Sequence, residues 1–559
     1  MVLEQAQQTP GPAPRQTPHL PPDQRPSGAL KLLFAASEVA PFAKTGGLAD
    51  VVGSLPRALA HRGHTCAVLL PLYRCARHAA EPVEPTDLHF EVLVGPQRVP
   101  ARLWRSHLPQ SDVAVYLVEQ PDYFDRDDPA LGKGLYQYRL PSGKLADYPD
   151  NFQRFVFFSQ AVLEVIPLVG FWPDVLHVHD WQTGLVPVYL RERYARRPGY
   201  SGIRTLFTIH NIAFQGVFWH WDMLLTGLDW GLFNWRQLEF YGHLNLLKAG
   251  IVFADAVNTV SPWYAREIQT PAYGCGLDGI LRHYQDKLVG IMNGVDYEAW
   301  DPAGDPHLPA RYTADTVRTG KAACKAALQQ RLHLPERPEV PLLGMVSRLT
   351  DQKGLDLFIL PEDFPPPVKH EAVRRLAEQK GLDALARDGA IGRLLANEDV
   401  QLAVLGTGEP LYHRFLTELL RAHPGRVAVT FAFDEPLAHL IEAGADLFLM
   451  PSRFEPSGLN QLYSLKYGTV PVVRRTGGLA DSVTDCTPET LAAGTATGFV
   501  FEPFTPAAFL AAVRRALTTY RTQPDVWLQL QRTGMSQDWS WEHSAQQYED
   551  VYRRLVGKR

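Results

Sequence analysis

The sequence contains no run of about 18 apolar residues, so no membrane-spanning helix is expected. Cysteine is scarce. There are five in 559 residues, at positions 66, 75, 275, 324 and 486, with no CxxC pair. That argues against a disulfide framework and a structural zinc site, and a reducing cytoplasm is the expected setting. Excess charge is also small. A net charge of −5 gives no electrostatic reason for nucleic acid or an anionic membrane as partner. The opening stretch MVLEQAQQTPGPAPRQTPHLPPDQRPSG lacks the charged-then-apolar order of a secretory signal. It is rich in proline and glutamine, and residues 1–28 are expected to be a disordered tail.

What is present is an α/β rhythm in a chain long enough for two or more domains. LKLLFAASEVAP reads as a strand, a glycine loop follows, LADVVGSLPRALAHRG reads as a helix, and HTCAVLLPLY is the next strand. Strand, loop, helix and strand form a βαβ unit and imply a mostly parallel sheet. The pattern returns in PDVLHVHDWQTGLVPVYLRERY, IRTLFTIHN and IVFADAVNTVSPWYAREI. A second series is expected to start at KLVGIMNGVD and to run through VPLLGMVSRL, VQLAVLGTG, RVAVTFAF, DLFLMPS and TVPVVRRTGG. The chain is therefore expected to divide near residue 290 into two doubly wound α/β halves. Ligands of such sheets bind beyond the carboxyl ends of the strands.

Two segments are repeated. KTGGLAD begins at Lys44 and RTGGLAD at Arg475, each after a strand and just before a helix. Free amides and the helix dipole at such a place suit an anion, although paired glycines also serve simply to make a tight turn. The two copies in matching positions suggest two lobes aiming backbone amides at one phosphorylated ligand. RLTDQKGLD (348–356) is followed by RLAEQKGLD (375–383), a tandem duplication in appearance. The first copy follows the strand LLGMVS; the second follows a polar, proline-interrupted stretch but leads into a helix. Strand-end geometry favours Arg348 and Lys353 as the working pair, with Lys380 on a surface insertion.

Other candidates also stand at strand ends. Lys44, Arg348 and Lys353 provide cations for a phosphate site. HVHDW places His177 and His179 on one face of a strand. With no third ligand nearby they read as core or supporting residues rather than a metal site, and Asp180 is the better polar candidate. His210 ends a strand in TIHNIAFQG. Glu455 precedes a helix, where it is either a cap or a group for sugar hydroxyls. Phe433 in FAFDEP reads as core or as a ring that stacks on a base.

In combination, SEVAPFAKTGGLADVVGSLP, HVHDWQTGLVPVYL, TIHNIAFQG, NTVSPWYAREI, NGVDYEAWDP, SRLTDQKGLD, PSRFEPSGLNQLYSLKYGTVPVVRRTGGLAD and SWEHSAQQYEDVYRRL resemble the bacterial glycogen synthases and plant starch synthases. These are retaining glycosyltransferases of the GT-B fold, and the likeness runs from about residue 30 to the C-terminus. It implies an N-terminal Rossmann-like domain (29–288), a C-terminal one (289–535) that holds the donor, and a last helix (536–559) crossing back. It also implies glucose transfer from ADP-glucose to an α-1,4-glucan, with no metal and no cofactor. By matching position, Lys44, Arg348 and Lys353 hold the diphosphate, and His210 and Glu455 hold the glucose. Asp180 lies near the anomeric carbon, and Phe433 lies against adenine. Gly46, Gly47, Asp50, Asn293, Ser457, Gly458, Thr476, Gly477 and Gly478 complete the implied donor site. Ser457 stands where the family usually has cysteine.

Overall fold

Strands made almost wholly of aliphatic residues need cover on both faces, which a parallel sheet flanked by helices supplies. Leu447–Met450 and Val175–His179, the latter with two histidines among its five residues, are buried at every position. They lie in two separate sheets. The computed structural model describes residues 28–557. The expected tail, Gly28 excepted, falls outside that range.

The first sheet has nine strands. In spatial order they are Leu288–Gly290, Ala256–Thr259, Arg204–Ile209, Val175–His179, Lys31–Ala35, Thr65–Pro71, Ala114–Glu119, Gln97–His107 and Glu84–Val94. All neighbours are parallel except at the far edge, where the last two strands pair antiparallel. The second sheet has six strands, all parallel, in the order Val427–Thr430, Gln401–Leu405, Leu342–Val346, Leu447–Met450, Val470–Arg474 and Phe499–Phe501. Each lobe buries its own hydrophobic core.

Two sequence expectations need correction. Leu288–Gly290 pairs with Ala256–Thr259, so KLVG closes the first sheet instead of opening the second. IVF belongs to the helix Leu246–Phe253, and the strand starts only at Ala256. The repeat RLAEQKGLD lies at the surface on the helices His370–Lys380 and Leu382–Asp388, with Leu376, Ala377 and Leu382 partly buried against the core of the second lobe.

Among the described residues, Asn151–Val169 is the one helix long and apolar enough to cross a bilayer. Of its most apolar stretch, 72% is buried inside the first lobe, as in a core helix. The final helix, Trp541–Gly557, packs on the first lobe against Gly47–His61. Tyr552 there places its hydroxyl 2.8 Å from His177 Nδ1, and Asn258 Nδ2 donates to Tyr548 at 3.1 Å. The C-terminus thus locks onto strands of the sheet at the opposite end of the sequence.

Candidate active site

The carboxyl ends of both sheets face one cleft of about 990 Å³. The first lobe contributes Gly46, Gly47, Asp180, His210 and Asn293. The second contributes Arg348, Lys353, Glu455, Ser457 and Gly458.

Asp180 follows the strand Val175–His179 in a left-handed conformation (φ 55°), unusual for a residue with a Cβ. It is held there because its Oδ1 accepts the His210 N–H at 2.7 Å. Burial raises its carboxyl to a pKa of about 7, against the hydrogen bonds from the His210 and Asn211 backbone. His210 ends the next strand, Arg204–Ile209. Burial pushes its imidazole down to about 3, so the ring is neutral at ordinary pH. His179 Nδ1 lies 3.0 Å from His210 Nε2, and the rings of His177 and His179 lie 4.2 Å apart. His177 contacts Thr208 Oγ1 at 2.5 Å and Tyr552. The HxH pair therefore braces His210. No cluster of three metal-ligating side chains occurs among the described residues.

Across the cleft, Lys353 Nζ donates to Glu455 Oε2 at 2.7 Å, and Ser452 Oγ donates to the same oxygen at 3.0 Å. Lys353 is aimed there by a tight turn. Gly354 takes φ 79°, and a Cβ on it would lie 1.9 Å from the Pro451 carbonyl, so only glycine fits. Arg348 is exposed at the rim with no ion pair among the described residues. Glu455 does not cap the Asn460–Lys466 helix, whose N-cap is Leu459. Lys380 of the second repeat is exposed and does not line the cleft. Its neighbour Arg375 pairs with Glu371 on the same helix.

Three buried polar atoms on the cleft wall, Asn293 Oδ1, Gln182 Oε1 and Ser457 Oγ, have no hydrogen-bond partner in the protein. Buried polar groups are ordinarily paired. Together with Arg348, Lys353, Asp180 and Glu455, they make a wall suited to a ligand carrying both anionic charge and hydroxyls.

Six sequence candidates stand elsewhere. Lys44 is half-exposed and paired with Asp50 at 2.6 Å, and neither lines the cleft. Thr476, Gly477 and Gly478 are buried away from it. The Thr476 hydroxyl (3.0 Å) and the Gly477 N–H (3.0 Å) both donate to Glu267 of the first lobe, and the Gly478 N–H donates to the Glu455 carbonyl at 3.1 Å. Their amides are spent inside the protein. Phe433 is 91% exposed on an open loop, neither core nor cleft wall.

Glu38 was not singled out from the sequence. Its carboxylate accepts from Thr45 N–H (2.5 Å), Thr45 Oγ1 (2.6 Å) and Gly46 N–H (3.2 Å), with Tyr136 OH at 2.8 Å. The first glycine loop thus already holds an anion of its own. An acidic residue shortly before a glycine-rich helix start was the available signal.

The starch synthase catalytic domain family matches residues 31–283, and the family of glycosyl transferases group 1 matches residues 371–526. A glycogen synthase of Anaeromyxobacter sp. (strain Fw109-5) is 47% identical over 527 residues, covering 94% of this chain and 100% of the relative. The chain belongs to the glycogen synthase family. Glycogen synthase 1 of Methylococcus capsulatus is 46% identical, over 94% of this chain and 97% of that one. The solved catalytic domain of starch synthase IV from Arabidopsis thaliana, bound to ADP and acarbose, superposes with a TM-score of 0.78 at 31% identity, covering 95% of this chain and all of that domain. The two Rossmann-like lobes are those of the GT-B glycosyltransferases, and a family member of this kind is a retaining glycosyltransferase.

Proposed function

We propose that the cleft transfers glucose from ADP-glucose to the non-reducing 4-hydroxyl of an α-1,4-glucan, with retention of configuration and in the cytoplasm. One observation carries the reading: Lys353, Arg348 and Glu455 line one wall while Asp180 and His210 line the opposite wall of the same cleft. Glycosyl transfer develops positive charge on the sugar and negative charge on the departing phosphate. Lys353 and Arg348 stabilise the leaving diphosphate, so the chemistry needs no divalent metal. Glu455 and neutral His210 hold the glucose hydroxyls, and Asn293 and Ser457 are free to accept from or donate to the same ring. Asp180 lies near the anomeric carbon. The acceptor attacks from the front face, assisted by the leaving phosphate, and no carboxylate nucleophile is invoked.

Gly46, Gly47 and Gly458 let the donor approach backbone closely. Lys44, Asp50 and Phe433 belong to this site only if the lobes draw together on the donor, which would bring Lys44 to the phosphates and the Phe433 ring to the adenine. Such closure would also exclude water from the activated sugar. The 289–535 segment, less Val289 and Gly290 of the strand that closes the first sheet and Asn293 on the first lobe's side of the cleft, is the donor lobe of this proposal.

The test is direct. Purified protein given ADP-glucose and glycogen in EDTA should release ADP and lengthen α-1,4 chains, and UDP-glucose should compete weakly. No turnover with either nucleotide sugar would overturn the proposal.

A further inference from the structure

Eight of the fifteen exposed large hydrophobic side chains among the described residues fall between Phe214 and Tyr241. Four of the eight are tryptophans: Trp219, Trp221, Trp230 and Trp235. A soluble surface seldom concentrates indoles in this way without a ligand or partner to cover them. The catalytic reading makes no use of them.

The rings form a connected surface. Trp219 and Trp221 meet edge to face at 6.5 Å, Trp221 and Trp230 at 5.5 Å, and Trp230 and Phe233 at 5.9 Å, with His220 among them. The surface is built on the small antiparallel sheet Val217–Trp219, His243–Asn245 and Glu239–Phe240. Alternation along the first strand turns Phe218 inward against Phe152 and Trp181 and leaves Val217 and Trp219 outward. The loop that carries Trp235 is pinned from below. Buried Lys248 donates to the Trp235 carbonyl at 2.6 Å and to the Glu239 carbonyl at 2.5 Å. The backbone that carries Trp235 is therefore held before any ligand arrives, which lowers the ordering cost of binding.

The surface is continuous with the cleft, because Phe214, Val217 and Phe218 line the cleft wall. We propose that this tryptophan surface is an acceptor-holding site for α-glucan, running outward from the cleft and engaging glucose units well behind the chain end that reacts. The proposal rests on the transferase reading above. Pyranose rings present a flat C–H face that stacks on indole and a polar edge that hydrogen-bonds to side chains. His220, whose ring contacts Trp219, Trp221 and Phe233, stands among the rings to serve that edge. A polymer whose end lies in the cleft must cross this ground, whereas a two- or three-unit acceptor need not reach it.

The test separates binding from turnover. Trp221→Ala/Trp235→Ala protein is compared with wild type in native gels containing glycogen, without donor, and in assays with glycogen or maltotriose as acceptor. The expected result is at least fivefold weaker retention by glycogen and an equal rise in KM for glycogen. KM for ADP-glucose, the maltotriose rate and the melting temperature should stay at wild-type values, and Trp221→Phe/Trp235→Phe should retain most of the affinity. Unchanged glycogen retention in the alanine variant overturns the proposal. So does unchanged retention accompanied by loss of a dimer in light scattering, which would assign the surface to a second copy of the chain. Tryptophan-dependent retention in a wild-type protein that transfers no glucose would uphold the surface and overturn the transferase reading alone.

Discussion

The two copies of TGGLAD have the same sequence and start helices in the same way, yet they do different work. In the first copy, extra Cβ atoms on Gly46 and Gly47 would meet nothing within 4 Å, and both residues face the cleft. In the second, a Cβ on Gly477 would lie 1.9 Å from the Glu455 carbonyl oxygen, and one on Gly478 would lie 1.8 Å from that of Ser457. The first loop is open ground for a ligand. The second is the mould against which the loop bearing Glu455 is cast. Their carboxylate partners differ in the same sense. Glu38, from the same lobe, caps the first copy; Glu267, from the other lobe, caps the second. Asp50 turns to Lys44 on the surface, while Asp481 crosses to accept from Ser261 Oγ at 2.5 Å and from the Trp263 N–H at 2.7 Å. The second copy and the Pro262–Glu267 helix therefore exchange carboxylates, each capping the other's start, and this pair of caps ties the lobes together. A glycine-rich helix start offers donors for an anion. Which anion arrives is decided by the rest of the fold.

The sharpest break in this comparison is a single methyl group. Gly478→Ala places a carbon against backbone on the far side of a packed contact, where neither partner can yield cheaply. A loss of about 3 kcal/mol in urea unfolding is expected, at the upper end for overpacking, together with misplacement of Glu455. Gly47→Ala should change stability by less than about 0.5 kcal/mol, as at an open position. Equal costs at the two sites would mean that the copies do the same work.

Next in size is Lys353→Ala. It removes the cation that holds Glu455 and, in the proposed reaction, the leaving phosphate. A fall of about a hundredfold in kcat/KM is expected, equivalent to about 2.7 kcal/mol of transition-state stabilisation. The fold should be unaffected, because the side chain lies at the cleft. A change of less than tenfold would take the phosphate role away from the first RLxxQKGLD copy.

Glu267→Ala breaks the cap between lobes. Burial raises the Glu267 pKa, and hydrogen bonds from Thr476, Gly477 and Trp263 oppose that rise. Removing the acceptor leaves the Gly477 N–H and the Thr476 hydroxyl buried without it. A loss of about 2 kcal/mol is expected in chemical denaturation, in the range for hydrogen bonds to a charged group. Glu38→Ala, in a part-buried setting beside the cleft, should cost less. The reverse ranking would show that the first loop, not the second, carries the structural load.

The strand-and-helix rhythm was legible because buried parallel strands are near-continuous apolar runs, and the strand ends gave five side chains of the cleft wall: Asp180, His210, Arg348, Lys353 and Glu455. The errors have physical causes. Leu288–Gly290 is three residues long and lies just before the crossover between lobes, so its text cannot say which sheet it joins. The cap of the second glycine loop was hidden for a different reason. Glu267 lies 209 positions before Thr476, and long-range carboxylates leave no local pattern. Of the two readings of Phe433 only the core one fails, because the strand ends at Thr430 and the ring projects from the loop. The tryptophans of 219–235 were visible in the sequence but not their shared face, which depends on the small sheet beneath them.

The smallest expected effect sharpens the comparison from the other side. Lys380 repeats Lys353 in sequence, within RLxxQKGLD, but its strand context is gone. Lys353 follows Leu342–Val346 in a short turn closed by Gly354, whereas Lys380 ends the helix His370–Lys380 and points to solvent. Gly381 shares the positive φ of Gly354 (80° against 79°) but not its ψ (146° against 15°), and a Cβ there would meet the Asp383 side chain at 2.7 Å, not the Pro451 backbone. One diphosphate binds once, and the copy that reaches it is the one beside Glu455. Lys380→Ala should therefore leave kcat/KM within about threefold of wild type, a difference below about 0.7 kcal/mol. Stability should move by less than about 0.5 kcal/mol, because the side chain is exposed. A loss comparable to that of Lys353→Ala would mean that the duplicated helix approaches the donor during turnover, and that the second copy is part of the working site.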